Sequence, residues 1–109
     1  MINVTVFRNQ QADYIGFKFA GHAGYADPGY DIVCAGVSAI VINTINSIEE
    51  FTDVKFSVGL DEKSGLIDFR LEEPVTEQTQ LLIKSLILGI EGIKKDYNGD
   101  YITLKFKEV

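Results

Sequence analysis

Five short runs of this chain alternate apolar and polar residues at every second position, and that period leaves few architectures open. In INVTVF, Ile2, Val4 and Val6 alternate with Asn3, Thr5 and Phe7, and in YIGFKFA, Ile15, Phe17 and Phe19 share one face. VKFSVGL sets Val54, Phe56, Val58 and Leu60 against Lys55, Ser57 and Gly59. LIDFRLE sets Ile67, Phe69 and Leu71 against Asp68, Arg70 and Glu72, and YITLKFK does the same with Ile102, Leu104 and Phe106. A strand written this way buries one face and wets the other, which is the signature of an antiparallel sheet. Short polar connections, RNQQAD between the first two runs and DEKSG between the third and fourth, predict hairpins. Asn98-Gly99 marks a turn into the last run.

Two longer segments keep a helical period instead. The first spans about Cys34 to Phe51, with Cys34, Val37, Val41, Ile45 and Ile48 on one stripe. The second spans about Thr76 to Lys95, with Leu82, Ile83, Leu86, Ile87, Ile90 and Ile93 on a broad face. Both are apolar over more of their girth than one sheet covers, so a second copy of the chain is expected against them, in a homodimer. The order is β-β-α-β-β-α-β, which predicts an α+β fold with two helices packed on a mostly antiparallel five-stranded sheet. At 109 residues, with no repeat or linker, residues 1–109 are read as a single domain.

One cysteine and one histidine can make neither an internal disulfide nor a zinc site, so no metal or cofactor is expected. The N-terminal residues lack a basic segment followed by an apolar one, and the apolar run around CAGVSAIVI is read as too short to span a bilayer. A cytoplasmic protein with no membrane partner is expected. The formal charge of −6 argues against direct nucleic-acid binding, which needs a concentrated basic face, and favours a basic partner.

The single histidine and single cysteine stand at the two ends of one loop, GHAGYADPGYDIVC. A lone cysteine is ordinarily a small buried hydrophobe. Here, however, His22 follows a strand and Cys34 is placed in the first turn of a helix, with Asp31 as the N-cap. Free N–H groups at such a helix start favour a thiolate, and an imidazole within reach would form an ion pair with it. The N–H groups of Cys34 and Ala35 would then receive an oxyanion. Ser38 lies one turn beyond Cys34 on the same face. Tyr25 and Tyr30 are candidates for a substrate groove, and Asp27 and Asp31 are the carboxylates nearest to His22 in sequence.

The segment GHAGYADPGYDIVCAGVSAIV resembles the signature of the ribosomal-processing cysteine proteases of the Prp family. The match covers Gly21, His22 and Ala23, then Asp31, Ile32, Val33, Cys34 and Ala35, then Ser38; Gly36 departs from the small residue, such as alanine, expected there. The resemblance implies a homodimeric cytoplasmic endopeptidase with Cys34 as nucleophile and His22 as general base. It implies as substrate the large-subunit ribosomal protein twenty-seven carrying an N-terminal extension, cut after an aromatic residue. Asp31 and Ser38 inherit supporting roles, and Gly21 and Ala35 are further candidates for support or substrate binding. The rival reading is a non-enzymatic ribosome-associated binding or assembly module with Cys34 merely buried.

Overall fold

The structure is a computed structural model that describes residues 1–21, 28–72 and 74–109, with the backbone alone for residues 28–31. Its elements follow the expected order: β1 (Ile2–Arg8), β2 (Tyr14–Ala20), α1 (Pro28–Phe51), β3 (Phe56–Asp61), β4 (Leu66–Leu71), α2 (Glu77–Asp96) and β5 (Ile102–Glu108). One sheet holds all of these strands in the order β3-β4-β2-β1-β5. Three neighbouring pairs are antiparallel, and β1 with β5 is parallel. Because β2 and β4 run in opposite directions and their crossovers move to opposite edges, right-handed connection puts both helices on the same side of the sheet.

Local chemistry fixes the joints. Between β1 and β2, the Asn9 Oδ1 accepts from the backbone N–H groups of Gln11 and Asp13, each at 3.0 Å, an Asx-type turn. Thr76 caps α2: its hydroxyl accepts from Thr79 N at 3.2 Å while Thr79 Oγ1 accepts from Thr76 N at 3.0 Å. At the other end Asn98 takes the left-handed conformation, φ 57°, and the Gly99 N–H reaches back to the Lys94 carbonyl at 2.8 Å. Asn98-Gly99 is thus the turn the sequence marks, doubling as the stop of α2.

The core lies between sheet and helices. Ile2, Val4, Val6, Phe17, Phe19, Phe69 and Ile102 face inward from the strands. Phe17 and Phe69 stack at its centre with ring centroids 4.7 Å apart. On the open face Phe7 is buried and is covered by the Arg70 guanidinium 3.7 Å above its ring.

Three expectations need correction. First, α1 begins at Pro28 rather than near Cys34, so Asp31 is an interior helical residue and not the N-cap. Proline suits the first helical position because that N–H has no partner in any case. The longer helix also overturns the reading of its apolar run: Ile32–Phe51, with mean hydropathy 1.6, is long and apolar enough to cross a membrane by length and composition. One stripe of it, Val33, Val37, Val41 and Ile48, is nevertheless buried in the core, so it serves here as a core helix.

Second, that stripe is rotated slightly from the expected one, leaving Cys34 and Ile45 half-buried on its flank. Third, Val58 and Leu60 point to the helix side of the sheet but stay exposed, Leu60 at 71%. They sit on the edge strand, where the helices do not cover them.

Candidate active site

Where β2 ends, α1 passes over the sheet, and the β3–β4 hairpin rises beside both. The three enclose a cleft of about 430 Å³. Its lining includes Phe19 and Gly21 from the end of β2, Cys34 and Ser38 from α1, and Leu60, Leu66 and Ile67 from the hairpin. Asp61, Glu62, Lys63 and Gly65 complete the hairpin side. The wall next to Cys34 is therefore apolar, and the rim above it is charged and exposed.

The helical period explains why Cys34 and Ser38 share this cleft, since residues four apart lie one above the other on a helix face. Gly21 joins them because it directly follows β2. It is buried, and a Cβ there would stand only 3.3 Å from Ile2 Cγ1. Ala35, in contrast, is exposed on α1. His22, Tyr25 and Asp27 lie outside the described residues, and for Tyr30 and Asp31 only the helical backbone is described.

The longer helix changes the electrostatics expected of the thiol. Cys34 is the seventh residue of α1, about 9 Å along its axis from the first. Helix-dipole stabilisation fades within the first turn. The N–H groups of Cys34 and Ala35 also fall inside the helical ladder, so they are not the free donors an oxyanion needs. The unpaired N–H groups of this helix belong to residues 29 and 30 instead, Pro28 having none.

A half-buried thiol in an open cleft with an apolar wall is equipped to meet an extended peptide. Residues 1–103 match the family described as cysteine protease Prp. The chain belongs to the Prp family of cysteine proteases. Over 104 residues it is 32% identical to the ribosomal processing cysteine protease Prp of Bacillus subtilis, which covers 92% of this chain and 93% of that protein.

Solved Prp structures agree in fold. The essential ribosomal processing protease Prp from Staphylococcus aureus, in complex with a substrate peptide, superposes with a TM-score of 0.90 at 27% identity, covering 98% of this chain and 100% of that one. The same protease with a covalently linked product peptide gives 0.86 at 28% identity over the same shares of the two chains. Membership of Prp makes this chain a cysteine protease and decides against the non-enzymatic reading.

What the sequence did not offer was the hairpin wall. DEKSG read only as a turn, and Leu60 read as ordinary core. The usable signal was the run Leu60, Leu66, Ile67 flanking that turn, more apolar than the edge of a sheet needs.

Proposed function

We propose that this protease removes the N-terminal extension of large-subunit ribosomal protein twenty-seven, with Cys34 as nucleophile and His22 as general base, cutting after an aromatic residue. The observation that carries the reading is arithmetic: the chain is a cysteine protease with one cysteine and one histidine. That cysteine lines the cleft. The relatives named for ribosomal processing, one of them bound to a substrate peptide, support the substrate class.

In this mechanism the apolar wall of Phe19, Leu60, Leu66 and Ile67 takes the aromatic side chain and brings the next carbonyl to Cys34. His22 removes the thiol proton, Sγ attacks the carbonyl carbon, and the proton passes to the leaving amine as the peptide bond breaks. Water then cleaves the thioester and restores the thiol. First-turn N–H groups of α1, residues 29 and 30, are the donors proposed for the oxyanion in place of those of Cys34 and Ala35. Ser38, beside the thiol, is assigned to substrate binding. Gly21, Asp31, Tyr25 and Tyr30 are assigned supporting or substrate-binding roles.

The exposed apolar residues of the helix layer, Ile32, Ile42 and Phe51 on α1 with Leu81 and Leu88 on α2, support a homodimer joined through that layer. A net charge of −6 favours encounter with a basic ribosomal protein in the cytoplasm.

The test is intact-mass spectrometry of the extended ribosomal protein incubated with the wild type and with Cys34→Ala. A single cut by the wild type alone is the expected result. No cut of a folded, extended substrate under reducing conditions would overturn the assignment.

A further inference from the structure

We propose that Gly65, in the turn of the β3–β4 hairpin, is a positioning residue for the catalytic histidine, acting through the backbone of Gly21. The inference rests on the reading of Cys34 and His22 as a dyad and adds the element that aims one of them.

The sheet register supplies the first observation. Phe19 pairs with Ile67 across β2 and β4, and the same antiparallel register carried two residues further sets Gly21 opposite Gly65. Two glycines thus face each other just where the ladder ends. The second observation is the closeness of their backbones: any Cβ placed on Gly65 would overlap the Gly21 carbonyl oxygen. Gly65 also holds φ at +64°, in the left-handed region where a side chain adds strain. Its N–H donates to the Glu62 carbonyl at 3.3 Å, which ties this approach to the hairpin turn.

Gly21 is held from its other side as well, buried against Ile2 of β1. Its peptide is therefore clamped between the hairpin and the first strand, and the next residue in the chain is His22. A clamped carbonyl fixes the plane of the peptide bond it belongs to, which is the bond that joins Gly21 to the next residue. The two glycines also line the cleft that holds Cys34, so the clamp sits beside the nucleophile. A displacement of about 1 Å in such machinery costs on the order of a hundredfold in rate.

The test compares Gly65→Ala with Gly59→Ala, a control in the same hairpin whose new Cβ would meet Asp68 Cβ at an ordinary 3.9 Å. Three quantities are read: kcat and KM on a substrate peptide, the pH dependence of Cys34 alkylation by iodoacetamide, and the melting temperature. Gly65→Ala should lower kcat at least tenfold with KM changed less than threefold. Its alkylation profile should shift toward that of His22→Ala, while Gly59→Ala should match the wild type.

Should Gly65→Ala not fold, Gly21→Ala carries the test, because its Cβ would stand 3.3 Å from Ile2 Cγ1, tight but without overlap, and disturbs the same peptide. Wild-type kcat and alkylation profile in a folded Gly65→Ala, or in Gly21→Ala in its place, would overturn the proposal, even with a lowered melting temperature. Failure of the dyad reading looks different: His22→Ala would then cleave as well as the wild type, whatever Gly65 does.

Discussion

The side-chain amide of Gln80 closes both of its hydrogen bonds on the backbone of Tyr14, accepting from its N–H at 2.8 Å and donating to its carbonyl at 2.7 Å. The β2–β4 register would bring Glu72 opposite Tyr14, but the pairing stops at Gly16 with Arg70 and β4 ends at Leu71. A side chain from α2 thus replaces a strand that has run out, and it pins the helix to the sheet. Gln80→Ala should lower stability by about 1–3 kcal/mol, read as a lower urea midpoint with an unchanged slope. Gln80→Glu, which keeps an acceptor and loses the amide donor, should fall between the two.

The stacked pair at the centre sets the largest single-residue cost. Phe17 and Phe69 are both fully buried, and Phe56 packs on Phe69 with centroids 5.0 Å apart. Phe69→Ala should destabilise by about 3–5 kcal/mol, since neighbours on the two flanking strands cannot close the void. Equilibrium denaturation checks it, with Phe69→Leu expected to cost less than Phe69→Ala.

On the open face, Arg70 lies over Phe7 and bonds to Asp68 through Nε at 2.8 Å. The Arg70 side chain is 42% exposed, so the ion pair itself contributes little. Removing the guanidinium uncovers a buried ring and forfeits a stacked cation, a loss of about 1 kcal/mol. Arg70→Lys should recover less than half of that loss in a melting experiment, because an ammonium does not lie flat on the ring.

Leu60 offers a cleaner separation of binding from folding. It is exposed and lines the cleft, so Leu60→Ser should leave the melting temperature within about 2 °C of wild type, the small response of an exposed site. If it contacts the aromatic side chain of the substrate, the lost apolar burial of about 1.5–3 kcal/mol raises KM roughly tenfold or more. Steady-state kinetics on one peptide decide it. An unchanged KM would move the aromatic pocket away from the hairpin.

Cys34 and Ser38 share the cleft but not the same expected consequence. Cys34→Ser should abolish cleavage and leave the fold intact, because the half-buried site tolerates a near-isosteric change. Ser38→Ala should reduce kcat/KM by a few-fold, the effect of one neutral hydrogen bond to substrate. The two variants are compared at matched folded fraction.

Element order was readable because period-two and period-three-to-four patterns scarcely overlap in this chain, and β1, β2 and β4 carried the expected inward faces. Sheet order was not: nothing local in YITLKFK says that it pairs in parallel with INVTVF, since that choice depends on a helix crossing over the whole sheet. The start of α1 was misread because Pro28 looked like a loop residue when it is a first helical residue, and that error carried the oxyanion donors with it. Cys34 and Ser38 were legible as neighbours from their spacing alone. The hairpin wall was invisible because Leu60, Leu66 and Ile67 share a cleft with Cys34 only through elements far apart in sequence.

The parallel pairing of the last strand with the first has a temporal consequence. Ile102 lies beside Ile2, and Glu108 beside Arg8, so one edge of β1 has no partner until β5 has been translated. A ribosome carrying this chain holds an unfinished sheet with an unpaired, apolar strand at its border. That closing pair joins the strands farthest apart in the chain, so of all the neighbours in the sheet it carries the largest cost of bringing two chain segments together.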